Sequence, residues 1–379
     1  MLALVRYEIC GEELPIGFAE ALTPERLSSL YKLSARHDIG HLVGDALQRL
    51  SLLSGDIGAR FIKARELAIY RYTQMQYEYN RITEALENAK IAHMPLKGAI
   101  IREYYPKGWM RTSCDIDILI RAEELSTARE LLVDGLGYKM DGEHTEHDIT
   151  LVSPAGVRLE LHHTLCDAGD EWGRDILSDI WSYAVLKDGC QTHYILPDDI
   201  FYFYHIEHMA RHFTLGGCGV RPLIDLWLLN RADNIDREKR TERLKSASLY
   251  DFALVMERLS DVWLSGGESD ETLKEIEEYI ILGGVYGNAE NRVAVQQSRS
   301  GGRLKYLMSR VFISNEALKR KYPILEKRPY LLPIYHIARW FKPLFNRKSK
   351  ENSLRDVKIT KKATKSEEKT RRLFERLGL

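Results

Sequence analysis

The sequence predicts an α+β fold, a small β-sheet flanked by N-terminal and C-terminal helical regions, and three observations predict it. Residues 1–90 and those after about 165 carry apolar residues mostly at three- and four-residue steps, the spacing of helices. Between these regions Ile116, Ile118 and Ile120 alternate with Asp115, Asp117 and Leu119, and a period of two marks a strand. Ser153-Pro154-Ala155-Gly156 then separates two further strand-like runs, 148–152 and 157–163, with the residues of a hairpin turn.

In chain order, Thr23 followed by Pro24 supplies an N-cap and a first-turn proline for an early helix. Residues 62–88 read as one long helix, with Tyr70, Tyr72, Tyr77 and Tyr79 as a half-buried packing stripe. Residues 91–96 form a short apolar run that ends at Lys97-Gly98, and 99–105 has a helical pattern. A strand, a glycine turn and a helix start point backbone N–H groups at an anion. Pro106-Lys107-Gly108 breaks that helix before the strand at 115–120. Residues 122–136 read as an amphipathic helix closed by Gly135 and Gly137. In the second hairpin arm Arg158, Glu160 and His162 occupy the polar face.

Helices resume at 200–213 and, after a glycine-rich turn at 216–219, at 220–229; two or three more are expected between 236 and 282. Arg221 and Asp225, four apart, suit an intrahelical ion pair. Residues 283–302 are polar and glycine-bearing and read as a linker. The expected organisation is therefore an N-terminal helical region (1–90), a core (91–165), a C-terminal helical domain (166–282), the linker, and a basic segment and tail (303–379).

Composition narrows the class. Charged residues are 29% and hydrophobic ones 44% of 379, an ordinary soluble balance. Five scattered cysteines without a CxxC pair argue against a disulfide frame or a zinc knuckle and fit a reducing cytoplasm. Arg6, Glu8, Glu12 and Glu13 interrupt the apolar start, so no secretory signal is expected, and no run approaches a membrane span. A net charge of zero conceals a division. Residues 301–379 hold 22 Lys+Arg against 7 Asp+Glu, a surplus of 15, and the 33 and 48 that remain leave residues 1–300 with an equal deficit. Tyr330 to Phe345 mixes aromatic and basic residues, a composition suited to an anionic membrane surface or to nucleic acid; docking on the acidic body of the same chain is preferred, because it accounts for the charge division without a partner.

Asp115 and Asp117, at i and i+2, leave a strand on the same face. Burying adjacent carboxylates costs several kcal/mol unless positive charge lies between them, and a divalent metal is the simplest candidate.

Lys97-Gly98-Ala99, then Asp115-Ile116-Asp117, then Glu160 on a neighbouring strand together resemble the active-site plan of the DNA polymerase beta-like nucleotidyltransferases. Leu96-Lys97-Gly98, Arg111 before Asp115-Ile116-Asp117, and Glu160-Leu161-His162 look more specifically like the bacterial family of uncharacterised nucleotidyltransferases. The resemblance implies a mixed sheet of nucleotidyltransferase type and transfer of a nucleoside monophosphate from an NTP, ATP foremost, to a hydroxyl or phosphate acceptor with release of pyrophosphate. It implies Asp115, Asp117 and Glu160 as catalytic metal ligands for two Mg²⁺, or Mn²⁺, ions. Lys97, Gly98, Ala99 and Arg111 would take the phosphates, and His147 and His162 the substrate side. Ala99 departs from the serine common in the wider superfamily, so phosphate binding would rest on backbone N–H groups and Lys97. The acceptor stays open. Two other classes remain: a nucleotide- or partner-binding module without turnover, and a zinc-dependent hydrolase using His205, His208 and His212, which share a helical face but lack the HExxH order.

Overall fold

In the computed structural model the structure describes residues 1–141, 148–166, 172–233, 235–285, 287, 289–299, 305–306, 308, 314–315, 318–319, 322, 324–345 and 367–379. The chain forms two compact units, one of residues 1–210 and 219–277, the other of 211–218 and 278–379.

The first unit begins with four helices, α1 (Leu2–Cys10), α2 (Pro24–Arg36), α3 (Gly40–Arg49) and α4 (Gly55–Asn88). Thr23 caps α2 as expected, its Oγ1 accepting from the Arg26 N–H with Pro24 in the first turn. Leu4, Leu27, Val43, Ala46, Leu47 and Phe61 close a core among these helices. The tyrosine stripe on α4 divides: Tyr79 packs against the sheet's core, whereas Tyr70 and Tyr77 are 59% and 62% exposed, a correction to the half-buried surface expected of all four.

The sheet has the order β1-β2-β5-β4-β3, built from β1 (His93–Pro95), β2 (Asp115–Ile120), β3 (Lys139–Met140), β4 (Asp148–Val152) and β5 (Arg158–His162). β2 and β5 are parallel and the other pairs antiparallel, so the sheet is mixed. Its register is decided by side-chain alternation. Ile116, Ile118, Ile120, Ile149, Leu151, Leu159 and Leu161 enter one core with Met75, Ile82 and Leu86 of α4. At about 25 cal/mol per Å² of apolar surface, each such side chain contributes about 1.5–3 kcal/mol, and a one-residue slip would forfeit the set. The opposite face is thereby left to Asp115, Asp117, Arg158, Glu160, His162 and Thr150. The β4–β5 turn closes as its residues predict, with the Ser153 Oγ accepting from the Val157 N–H and Gly156 at φ 80°.

Two connections differ from expectation. The 99–105 helix is only one α-turn, α5 (Gly98–Ile101), continued by a 3₁₀ turn at Arg102–Tyr104. The 122–136 helix is composite: a 3₁₀ turn at Ala122–Glu124, α6 (Leu125–Glu130) and a π-helical turn at Leu131–Gly135. The π turn re-aims Leu132 into the sheet's core before the chain reverses.

Helices then follow: α7 (Arg174–Ser178), α8 (Ile180–Tyr183), α9 (Asp198–Thr214), α10 (Arg221–Leu229), α11 (Arg237–Ser246), α12 (Tyr250–Ser265) and α13 (Glu271–Gly283), with a small hairpin at 185–195 between α8 and α9. Asp236 caps α11 by accepting from the Lys239 N–H. In the second unit, α14 (Ala289–Arg299) is a helix inside the stretch expected to be a linker. Phe213, Tyr279 and Phe374 pack there with ring centroids 4.7–6.1 Å apart. Among the described residues no helix is long and apolar enough to cross a membrane.

Candidate active site

The polar face of β2 and β5 gathers the chemistry. Parallel pairing sets Asp117 directly beside Glu160 and Asp115 beside Arg158. Asp117 is buried, and one of its oxygens, Oδ1, meets both Lys97 Nζ at 3.1 Å and His162 Nε2 at 2.9 Å. A carboxylate can only accept, so His162 carries its proton on Nε2 in this arrangement. Glu160 Oε2 lies 3.7 Å from the same His162 nitrogen, and its Oε1 is 3.2 Å from Arg158 Nε. One ligand atom each from Asp117, Glu160 and His162 fall within 4.8 Å of one another, a spacing that can hold a metal ion.

The charges are unevenly compensated. Burial, then the charges of Asp117 and Glu160, push the Asp115 carboxyl up to about 6, against the pull of Lys97 and Arg158. Burial would raise Asp117 too, but Lys97 and His162 outweigh it and hold this carboxyl well below the usual range. Lys97 loses solvation by burial, yet Tyr204, Asp117 and Asp115 keep its ammonium above its ordinary range. Of the two carboxylates on β2, Asp117 is therefore compensated and Asp115 is short of positive charge.

The turn that supplies Lys97 is a tight β-turn. The Ala99 N–H donates to the Leu96 carbonyl at 3.2 Å, and Leu96 in turn donates to the Asp117 carbonyl at 3.0 Å, tying the turn to β2. Lys97 sits at φ 42°, ψ −114°, close to the first central position of a type II′ turn, which glycine usually fills. A lysine there stores strain of about 1–3 kcal/mol, and such strain gathers at functional sites. Gly98 is closely covered: an added Cβ would stand 3.3 Å from the Ser113 Cβ, so Ser113 would have to shift to admit it. Ala99 follows with no hydroxyl.

Sequence reasoning missed Arg102. Its Nε donates to the Gly98 carbonyl at 2.7 Å and its Nη2 to the Ser113 Oγ at 2.9 Å, with the guanidinium 5.9 Å over the Tyr72 ring. It is 7% exposed, so a cation is buried directly behind the turn. The findable signal was an arginine four residues after the turn glycine, one helical step away.

Arg111 is held by a buried carboxylate. Its Nε lies 2.8 and 3.0 Å from the two oxygens of Asp225, its Nη1 donates to the Thr112 carbonyl, and the Tyr105 hydroxyl donates to Asp225 at 2.6 Å. Asp225 is fully buried, and this triad fastens the segment entering β2 to α10. The expected Arg221–Asp225 pair is thereby corrected: Asp225 turns inward to Arg111, while Arg221 reaches Asp38 and the Thr112 carbonyl. Asp225 lies inside the protein, where an unpaired carboxylate would cost more than an exposed helix pair returns.

Of the other candidate histidines, His147 lies outside the described residues. On α9, His205 is buried with Nε2 3.2 Å from the Pro222 carbonyl. Among the described residues His205, His208 and His212 form no three-ligand cluster.

This sheet face thus joins the buried Asp117, the part-buried Asp115 and Glu160, His162 and a strained lysine turn. The chain belongs to the family of uncharacterised nucleotidyltransferases, which it matches over residues 23–265, so nucleotidyl transfer from a nucleoside triphosphate is its general kind of reaction. Among solved structures it is similar to the antibiotic-resistance factor ANT(2″)-Ia in solution, at 12% identity and a TM-score of 0.28, over 52% of this chain and 91% of that one. No curated protein matches the chain.

Proposed function

We propose that this chain is a divalent-metal-dependent nucleotidyltransferase that moves a nucleoside monophosphate from an NTP, ATP foremost, to a hydroxyl or phosphate acceptor and releases pyrophosphate. The observation that carries this reading is the parallel register that sets Asp117 beside Glu160, with Asp115 on the same face. Asp115, Asp117 and Glu160 would hold the metal. The donor set fits a hard cation: all three are carboxylates, Asp117 and Glu160 belong to the cluster whose ligand atoms lie within 4.8 Å of one another, and Asp115 on the same face is short of positive charge. Bound there, Mg²⁺ or Mn²⁺ would stabilise negative charge on the reacting phosphate and promote ionisation of the acceptor hydroxyl.

The chain's own residues do the rest. Lys97 presents an ammonium at the turn, and Arg102 stiffens that turn through the Gly98 carbonyl while adding a second positive charge behind it. Gly98 offers a backbone N–H group, whereas that of Ala99 is taken by the Leu96 carbonyl, and α5 has only four residues and a weak dipole, so the phosphates would depend chiefly on these cations. His162 keeps its proton on Nε2 and steadies Asp117. Arg111 acts at one remove: locked to Asp225, it positions the strand that carries Asp115.

The test incubates the purified chain with each α-labelled nucleoside triphosphate and Mg²⁺ or Mn²⁺, then follows label into protein, RNA and small molecules of a lysate. Transfer is expected with one metal or both, and Asp117→Asn and Glu160→Gln are each expected to lower it by about a hundredfold or more, the scale of a lost transition-state contact. Triphosphate binding without transfer would replace the reading with a binding module, and neither would end it.

A further inference from the structure

Over its described side chains, Leu332–Ala338, the Leu332–Phe345 helix of the second unit leaves aliphatic residues exposed. Tyr335 and His336 are half-buried: the Tyr335 ring packs 4.9 Å from that of Tyr322, and His336 Nε2 lies 3.0 Å from Asn315 Oδ1. Leu332 is half-buried with them, and the exposed side of this described part is also apolar. Ile334 is 59% and Ile337 52% exposed, Pro333 and Ala338 are exposed beside them, and Tyr330 just before the helix is 70% exposed. The three- and four-residue spacing of Ile334, Ile337 and Ala338 continues in the sequence through Phe341 and Phe345.

The occupant of this face must meet both its aliphatic residues and the charge around it; the acidic body of the same chain would answer the charge but leaves Ile334 and Ile337 exposed. From Lys327 to Lys350 the sequence has seven basic residues (Lys327, Arg328, Arg339, Lys342, Arg347, Lys348 and Lys350) and no acidic one. A second copy would bring the same basic segment against this one, and like charges repel. Nucleic acid would pair with the cations but has no use for an aliphatic stripe, since it binds through phosphate contacts and aromatic stacking. An anionic lipid surface satisfies both halves, taking the aliphatic and aromatic residues at the acyl boundary and the lysines and arginines at the headgroups.

We infer that the Leu332–Phe345 helix, with its flanking basic residues, is an interfacial element that seats the protein on an anionic lipid surface. The helix lies in the plane of that surface, for its fourteen residues extend about 21 Å, short of the hydrocarbon thickness.

The test uses the full chain and sedimentation with vesicles of phosphatidylcholine alone or mixed with phosphatidylglycerol, at low and high salt. The chain is expected to pellet with the mixed vesicles, to stay in solution with phosphatidylcholine alone, and to be released by salt. Ile334→Asp with Ile337→Asp is expected to abolish pelleting, and Lys327→Gln with Arg328→Gln to weaken partitioning roughly tenfold or more at low salt. Circular dichroism checks that the variants fold, and the lipid and salt arms use the unaltered chain, so they stand even if a variant does not. Absence of pelleting with mixed vesicles overturns the inference, as does equal pelleting with both compositions. So does duplex binding that survives the isoleucine changes in a chain that ignores vesicles, or a dimer that those changes dissolve.

Discussion

At the scale of single residues, the candidate site is a problem of charge on two neighbouring carboxylates. Asp117 has its compensation in Lys97 and His162, so its folded acidity lies below the unfolded value. Its stabilising contribution is present above the unfolded carboxylate range and is lost only as pH falls through the lower folded value. Asp115 has the opposite sign. Its carboxyl is pushed up to about 6, so ionising it costs the folded state; the cost is absent below the unfolded value and complete above about pH 6. Asp115→Asn is therefore expected to stabilise the metal-free protein by on the order of 2 kcal/mol at about pH 7.5 and to change little at about pH 4, as thermal melts at the two pH values would show. A second prediction isolates the strained turn. Lys97→Gly and Lys97→Ala remove the same ammonium, but only glycine adopts φ 42°, ψ −114° without strain. The glycine variant should be more stable than the alanine variant by about 1 kcal/mol or more in urea unfolding, and both should lose nucleotidyl transfer.

At the scale of elements, the sheet and its tethers position these charges. The alternation of Ile116, Ile118 and Ile120 against Asp115 and Asp117 was legible because side-chain period on a half-buried strand is a local property. The hairpin at 153–156 was legible for the same reason. What local pattern could not show was which strand lies beside which: β2 pairs with β5 across about forty residues, and only that pairing brings Glu160 to Asp117. The partner of Asp225 was hidden likewise, since Arg221 is four residues away and Arg111 is 114. This buried pair yields a third prediction. Asp225→Ala would leave the Arg111 guanidinium buried without its counter-ion and should destabilise the first unit by about 3–5 kcal/mol in denaturant unfolding, more than Asp225→Asn, which keeps the hydrogen-bond acceptor. Arg221→Ala, at a partly exposed pair with Asp38, should cost no more than about 1 kcal/mol in the same assay.

At the scale of the whole molecule, the proposed chemistry and the proposed lipid contact draw on different parts of the chain, an acidic part at residues 1–300 and a basic part at 301–379. The carboxylate face belongs to the first unit and the exposed Ile334 and Ile337 to the second. The double change Ile334→Asp with Ile337→Asp is thus expected to leave label transfer in solution unchanged while removing vesicle binding, and Asp117→Asn to do the reverse. Joint loss of both in either variant would show that the two properties are coupled.

By itself the sequence determined the helical flanks, the strand alternation, the hairpin and the identity of the acidic residues, because each follows from spacing and residue chemistry within a short window. Tertiary structure alone decided the rest. It placed Lys97 and His162 on one oxygen of Asp117, revealed Arg102 behind the glycine turn, gave Arg111 to Asp225 and left Ile334 and Ile337 exposed. These outcomes depend on contacts between distant segments, where the cost of a buried unpaired charge outweighs local propensity.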